Sequence, residues 1–145
     1  YRKGVITKGA GHTDFDAALE AMAAATVTDY TEQMEAMEVS AAIRTAWALI
    51  SRTNKYIDET APWTLAKDEA KAVQLDSVLY HLVESLRITS ILISPFLPAT
   101  AHRIHEQLGF TADFDAVRLS DTAWGGTPDG HTVGTAEQLF PRIDV

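Results

Sequence analysis

Apolar residues recur at steps of three or four from residue 15 onward, which is the spacing of one face of an amphipathic α-helix. Thr13 or Asp14 is a suitable N-cap for this helix, and no glycine or proline follows Gly11 until residue 62. That span is long enough for two helices, so we expect a break near residues 38–40. The apolar face of the first helix comprises Phe15, Leu19, Met22, Thr26, Tyr30, Met34 and Met37.

The second predicted helix has the same spacing and ends before Pro62, because the residue ahead of a proline avoids the helical conformation. Asn54 falls on its apolar stripe, where a hydrocarbon side chain is usual. A buried amide needs hydrogen-bond partners, so we expect Asn54 to bond the backbone of a neighbouring helix or turn. We also assign a structural role to Tyr56. The stripe consists of Ile43, Trp47, Ile50, Asn54 and Ile57.

A third periodic run ends or kinks at Pro95, and a short helix over residues 99–108 follows, closed by Gly109. Glycine and proline are frequent after it, so residues 110–145 are expected to be mostly irregular. The third run contains Leu75, Val78, Leu79, Leu82, Val83, Leu86, Ser90 and Ile93, and the expected anchors of the irregular segment are Phe114, Trp124, Leu139, Phe140 and Ile143.

These elements predict an all-α fold, an antiparallel helical bundle over residues 13–109 with an irregular C-terminal segment over residues 110–145. Residues 1–12 are expected to be a lead-in to the bundle. Strand content is expected to be near zero, because valine and isoleucine do not alternate with polar residues for long.

Composition agrees with one domain that has a sizeable core: 145 residues, 46% hydrophobic. The chain has no cysteine, which excludes a disulfide scaffold and a cysteine-ligated zinc site. The longest apolar stretch, residues 88–101, is short and contains two prolines, so we predict no transmembrane helix and no membrane partner. The absence of an initial methionine leads us to expect that the sequence is a piece of a longer protein.

The charge is acidic and uneven. The net charge is −8; residues 13–40 contain seven acidic residues and no basic one, whereas residues 41–71 contain five basic and four acidic residues. A protein that follows a duplex by its phosphates usually presents a basic face. We therefore predict no DNA partner, and we expect any RNA binding to be local and to depend on stacking or base contacts.

Familiar catalytic motifs are missing. The chain has no glycine-rich nucleotide loop and no nucleophile-elbow motif, and thiol catalysis is excluded without cysteine. His102 and His105 share a helix face with Glu106 beside them, but a clear third ligand is missing, so we expect surface polar roles and no metal. We assign no catalytic residue to this chain.

Trp63 follows Pro62 just beyond the predicted end of the second helix, where the chain changes direction. A tryptophan there either plugs the corner of the core or projects outward as a platform for a base. Stacking on an aromatic ring contributes about 1–3 kcal/mol per base and needs no net positive charge. Lys55, Lys67 and Lys71 lie close in the sequence and are able to contact phosphates.

Residues 54–67, N-K-Y-I-D-E-T-A-P-W-T-L-A-K, resemble the anticodon-binding helical domain of methionyl-tRNA synthetases, which are class I enzymes. The flanking segments A-A-I-R-T-A-W-A-L-I and L-R-I-T-S-I-L-I-S-P-F-L-P-A-T-A-H-R-I-H-E-Q-L-G are similar to it as well, as are the initial Y-R-K-G-V-I and the terminal L-F-P-R-I-D. The resemblance therefore covers nearly the whole chain.

The resemblance implies a role in recognising the CAU anticodon of initiator and elongator methionine tRNAs. In such a domain Trp63 stacks on an anticodon base, Pro62 sets its position, and Asp58 helps to exclude wrong anticodons by charge. The acid-rich first helix then faces away from the tRNA. The family's other anticodon readers, an asparagine and an arginine, are expected on a helix upstream of Tyr1.

The resemblance also implies that the parent enzyme uses ATP to charge tRNA with methionine in the cytoplasm. Its catalytic domain, a partner of this one, holds the ATP, so no cofactor is expected here. Two alternatives are also compatible with the sequence. One is the anticodon domain of a related class I synthetase for leucine, isoleucine, valine or cysteine. The other is a stand-alone helical interaction module in which Met22, Met34 and Met37 line an adaptable groove.

Overall fold

The computed structural model describes residues 2–9 and 11–141, and these are mainly helical, as predicted. Two strands of two residues each pair antiparallel and tie the lead-in to the C-terminal segment. The sheet is a small addition to the predicted all-α fold. The elements are β1 (Val5–Ile6), α1 (Asp16–Glu35), α2 (Val39–Thr60), α3 (Pro62–Leu65), α4 (Ala72–Ile93), α5 (Pro98–Gln107) and β2 (His131–Thr132), with short 3₁₀ turns at Arg2–Gly4, Glu69–Lys71, Phe114–Ala116 and Leu119–Thr122.

The break between α1 and α2 lies at residues 36–38, slightly earlier than predicted. Met37 adopts a left-handed backbone conformation there, with φ of 62°. So short a link places the two helices side by side and antiparallel. The predicted N-caps of α1 are wrong, because the helix begins at Asp16 without a side-chain cap. Instead, the Asp16 carboxylate accepts hydrogen bonds from the backbone N–H and the hydroxyl of Thr13.

Helix α2 buries a different face from the predicted stripe. The side chains of Ile43, Ile50 and Ile57 are half-buried, and Trp47 is 43% exposed. The buried face begins with the small residues Ala42 and Ala46, and small side chains let the packed helices approach closely. The residues that α2 buries are Ala42, Ala46, Leu49, Thr53, Tyr56 and Thr60.

The placement predicted for Asn54 is therefore wrong, since its side chain is exposed. The neighbouring Tyr56, which we also assigned a structural role, is fully buried. Its hydroxyl donates to Asp16 Oδ1 at 2.6 Å. A tyrosine on the face of α2 that meets α1 thus has a buried acceptor.

Helix α4 is the central element, and it packs against α1, α2, α3 and α5. It is buried on nearly every side, although Leu86 of the predicted apolar run is 40% exposed. Its buried surface includes two acids, one histidine and one arginine, and each has a partner from another element or from the same helix. These residues are Asp76, His81, Glu84 and Arg87.

Asp16 joins three helices through its carboxylate. Besides Thr13, it accepts hydrogen bonds from the Tyr56 hydroxyl on α2 and, at 3.0 Å, from the Ser77 hydroxyl on α4. Burial by itself raises the pKa of Asp16, but the hydrogen bonds from Thr13 and Tyr56 outweigh burial, and the pKa falls below its usual value.

We expect Tyr56→Phe to lower the free energy of unfolding by about 1.5–3 kcal/mol, because it removes a hydrogen bond to a buried charged acceptor. Tyr30→Phe is the matched control, since the Tyr30 hydroxyl donates at 2.8 Å to a neutral acceptor, the backbone carbonyl of Leu92. Its expected cost is about 0.5–1.5 kcal/mol. Urea denaturation measures both, and equal losses would contradict a special role of the charge on Asp16.

The C-terminal segment is held to the bundle by both apolar and polar contacts. Phe114 and Trp124 pack against the core as predicted, but Phe140 is 67% exposed, so its assignment as an anchor is wrong. The Arg103 guanidinium on α5 instead holds this part of the chain by its backbone, donating to the carbonyls of Gln138 and Leu139. Leu139 is half-buried, and Ile143 lies outside the described residues.

A buried ion pair on α4 makes a further attachment to the C-terminal segment. The Glu84 carboxylate pairs with Arg87 and accepts from the backbone N–H groups of Gly125, Gly126 and Thr127 at 2.6–3.0 Å. The Arg87 guanidinium donates in turn to the carbonyls of Asp121 and Ala123 at 2.5 and 2.7 Å. We call this set of contacts the Glu84 clamp.

Among the described residues, none of the helices is both long enough and apolar enough to cross a membrane.

Candidate nucleic-acid interface

The chain reverses direction sharply between α2 and α3. Helix α2 ends at Thr60, and Ala61 adopts the left-handed conformation, with φ 42° and ψ 62°. Pro62 then starts α3, where its fixed φ suits the first helical position and its missing N–H costs nothing. The side chain of Pro62 is buried, so the corner is fixed to the bundle.

Trp63 projects from this corner. Its side chain is 46% exposed, although the preceding proline is buried and Leu65 packs partly against the core. A residue that sealed the corner would be buried, so the structure does not support the interpretation of Trp63 as a core plug. The indole has a solvent-accessible surface on which a planar group can stack.

The last turns of α2 bring further polar groups to the same end of the bundle. Asn54 and Asp58, one helical turn apart, are both exposed. The exposed amide of Asn54 offers both donors and an acceptor, and the exposed carboxylate of Asp58 offers acceptors only. Asn54 was assigned a structural role from the sequence, and its exposure gives it a place on the surface instead.

Lys55 is exposed but has an acidic neighbour. Its Nζ lies 3.5 Å from Glu59 Oε1, and the Arg52 guanidinium lies 2.9 Å from Glu59 Oε2. Glu59 therefore offsets part of the positive charge expected at this end of α2, whereas Lys67 and Lys71 beyond α3 are exposed. Arg52 and Glu59 were not predicted as neighbours of the site, although the spacing of four between Lys55 and Glu59 is a signal for the pair.

The outer face of α2 leads to this end. Ile43, Trp47 and Ile50 form a half-exposed apolar strip that continues to Asn54 and Ile57 near the corner. We predicted from the sequence that this strip is buried in the core. Helix α2 instead buries the face that contains Ala46 and Tyr56, and the strip is a second apolar face of the same helix.

The two histidines of α5 have structural contacts. His102 Nε2 lies 3.0 Å from the Asp115 carboxylate, and His105 Nε2 donates to the carbonyl of Ala112. Burial lowers the pKa of His105 below its usual value. Within residues 2–9 and 11–141, no group of three His, Asp or Glu side chains is arranged to hold a metal ion.

The methionines do not line a common groove. Met22 and Met34 pack partly against the core, and Met37 is 81% exposed in the link between α1 and α2. The predicted methionine groove is therefore wrong, because Met22 and Met34 are used in packing.

Comparison with known proteins shows the family. A sequence model described as the anticodon binding domain of methionyl tRNA ligase matches residues 6–145. A methionine–tRNA ligase of Bacillus subtilis is 52% identical over 91% of this chain, and that of Lactococcus lactis is 43% identical over the whole chain. The chain spans about a fifth of the length of these relatives, since it covers 20% and 22% of them.

A solved structure of Mycobacterium tuberculosis methionyl-tRNA synthetase, in its free state, has a TM-score of 0.85 to this fold at 26% identity. The match covers 98% of this chain and 28% of that one. These findings favour the methionyl family over the leucine, isoleucine, valine and cysteine enzymes. The chain belongs to the family of anticodon-binding domains of methionyl-tRNA ligases.

Proposed function

We propose that this chain recognises the CAU anticodon of methionine tRNAs as the anticodon-binding part of a ligase that charges tRNA with methionine. The observation that carries the proposal is the exposed indole of Trp63, held at a corner that buried Pro62 and left-handed Ala61 fix in place. A fixed platform binds a base at little entropic cost, because few side-chain rotations are lost on binding.

The exposed polar groups on the last turns of α2 are able to distinguish one base from another by hydrogen bonding and charge. Asp58 presents acceptors only, so it repels a phosphate or a base edge that offers acceptors. Asn54 presents donors and an acceptor on the same helix end, which adds it to the proposed surface. Lys67 is the better placed of the two predicted phosphate contacts, because Lys55 already pairs with Glu59.

The charge distribution supports local recognition by stacking. Helix α1 and its flanks carry seven acidic residues and no basic one, so this side of the bundle repels a polyanion. The tRNA then approaches the corner between α2 and α3, and α1 faces away from it.

Several parts of the proposal concern the parent enzyme. Its ATP and its catalytic residues lie outside this chain, and its place of action is the cytoplasm. We also predict that an upstream helix completes the recognition surface. The half-exposed strip of Ile43, Trp47 and Ile50 supports it, because such a helix has an apolar face to bury.

Charging of altered tRNAs tests the proposal directly. We expect the full-length ligase to charge transcripts of methionine tRNA with the CAU anticodon far better than transcripts that differ only in the anticodon. The acceptor stem and all other nucleotides stay the same, so the difference reports anticodon recognition alone. Equal kcat/KM for all transcripts would contradict the proposed function.

Asp58→Ala is expected to raise the charging of transcripts with wrong anticodons about fivefold, because it removes roughly 1 kcal/mol of charge repulsion. Charging of the CAU transcript is expected to change less than twofold. Glu32→Ala is the matched control, since Glu32 is also an exposed acid but lies on α1, which faces away from the tRNA in this proposal. An equal gain in both variants would assign the effect to net charge and remove Asp58 from the recognition surface.

A further inference from the structure

A groove runs between α1 and the C-terminal segment, on a part of the bundle that the anticodon proposal does not use. Its volume is about 510 Å³. Ile88 of α4 forms its floor, Val27 lies on its α1 wall, and Leu119 and Trp124 line the opposite wall. The lining is mainly apolar, and the groove is open to solvent.

The opposite wall is held rigidly. The Glu84 clamp fixes the carbonyls of Asp121 and Ala123, and the Trp124 ring packs against His81 with the ring centroids 5.5 Å apart. The groove is thus formed before anything binds, which lowers the entropic cost of binding.

The α1 wall has a charge pattern. Glu20, Ala24, Val27, Thr31 and Glu35 follow one another at steps of three or four, so they form one line along the helix. The middle three line the groove, and an exposed glutamate lies at each end of the line. Residues 13–40 contain no lysine or arginine, but Glu20 Oε1 lies 2.8 Å from His81 Nε2 on α4, so part of its acceptor capacity is already used.

We propose that this groove binds a basic amphipathic helix of a partner protein, with apolar side chains over Ile88 and with lysines or arginines facing Glu35 and the exposed part of Glu20. The lining from Ala23 to Thr31 spans about two helical turns, which matches the reach of apolar anchors at i, i+3, i+4 and i+7. The acidic ends of the line match a basic partner in charge, and they repel RNA.

The occupant is a protein segment rather than a small ligand, because ligand pockets combine an apolar lining with convergent polar groups. Here the polar lining consists of three hydroxyl residues, and the hydroxyl of one of them, Thr122, already donates to the carbonyl of Leu119.

The test uses the full-length protein and a labelled synthetic peptide of 18 residues, with leucines at helical anchor spacing and lysines elsewhere. One control peptide has the same composition in scrambled order, and a second has glutamates in place of the lysines. Fluorescence anisotropy measures binding. We expect the amphipathic lysine peptide to bind with a Kd at least tenfold lower than either control peptide.

Two pairs of variants locate the binding. Ala24→Phe fills the groove from an exposed helix position, whereas Ala25→Phe, its matched control, adds the same ring on a side of α1 that does not line the groove. We expect Ala24→Phe to raise the Kd at least tenfold and Ala25→Phe less than twofold. Glu35→Lys is expected to raise it severalfold, and Asp29→Lys on the opposite side of α1 is the control.

Each other outcome overturns the proposal. Equal binding of the scrambled peptide would show non-specific attraction to an acidic surface, and equal effects of the two phenylalanine variants would place the peptide elsewhere. No peptide binding would mean that the full-length protein or a second copy covers the groove. Weaker tRNA binding by Ala24→Phe alone would assign the groove to RNA. The proposal is independent of anticodon recognition, because tRNA charging is expected to stay unchanged in all four variants.

Discussion

Replacing Trp63 by alanine is expected to lower kcat/KM for tRNA charging by about 5- to 150-fold, the equivalent of losing 1–3 kcal/mol of stacking on one base. Trp63 is 46% exposed at a corner whose backbone is fixed by Pro62, so removal of its indole is expected to leave the bundle core intact. Methionine-dependent exchange between ATP and pyrophosphate, which needs no tRNA, is expected to stay within twofold of the unsubstituted enzyme.

The two activities separate recognition from folding. Trp63→Phe retains a smaller aromatic face and is expected to recover much of the charging lost in Trp63→Ala. A parallel fall in charging and exchange would show that the tryptophan supports the fold of the enzyme instead of binding RNA. Normal charging by Trp63→Ala would remove the stacking platform from the proposed function altogether.

Replacing Glu84 by glutamine is expected to lower the free energy of unfolding by about 3–5 kcal/mol, because it leaves the buried guanidinium of Arg87 without its counter-charge. The backbone N–H groups of residues 125–127 also lose their charged acceptor, because the glutamine amide has one neutral oxygen in place of two carboxylate oxygens. We expect these residues to exchange their amide hydrogens faster in the variant, as followed by hydrogen–deuterium exchange of the full-length protein. Glu106→Gln, at an exposed position on α5, is the control and is expected to change stability by less than about 0.5 kcal/mol.

Acidic pH is expected to lower the free energy of unfolding in the same way as Glu84→Gln, because it protonates the same carboxylate. Burial by itself raises the pKa of Glu84, but hydrogen bonds from Arg87 and Thr127 and the charge of Arg87 outweigh burial and lower the pKa to about 2. A carboxylate whose pKa is lower in the folded state stabilises the protein above its unfolded pKa of 4.5. That contribution, roughly 3 kcal/mol, declines as the pH falls from about 4.5 towards 2. If the Glu84→Gln variant lost as much stability as the unsubstituted protein over this range, the acid sensitivity would belong to other carboxylates.

The groove between α1 and the C-terminal segment depends on the same clamp. Glu84→Gln loosens the carbonyls of Asp121 and Ala123 through Arg87, so we also expect it to weaken peptide binding. Glu84 is therefore expected to affect both the free energy of unfolding and peptide binding, although it lines neither of the proposed sites.

Local chemistry made much of the fold predictable from the sequence. The spacing of apolar residues predicts the long helices. Proline geometry and glycine conformations predict the ends at Pro62, Pro95 and Gly109 and the irregular C-terminal segment. All of these effects act within a few residues. The outward position of Trp63 was one of two predicted possibilities. Its neighbours in sequence, a helix end and a proline, already limited what the side chain was able to reach.

The choice of buried face on α2 was decided only by tertiary structure. The strip containing Trp47 and Asn54 and the face containing Ala46 and Tyr56 both have helical spacing, so periodicity alone does not distinguish them. The close approach of α1 and the acceptor that Asp16 offers to Tyr56 favour the second face, and that leaves Asn54 exposed.

The clamp likewise joins residues more than 40 positions apart, since Glu84 accepts from Gly126 and Thr127. Nothing in the local sequence marks Glu84 as buried. The sequence by itself determined which long segments are helical, roughly where they end and which family they belong to, because those properties depend on short-range geometry and on motifs. It did not predict the short helix α3 or the pairing of β1 with β2. Tertiary structure decided which faces meet and which charges are buried. Arg87 is a local partner of Glu84, but the backbone groups that satisfy the rest of the pair come from residues 121–127, which only the folded chain brings to α4.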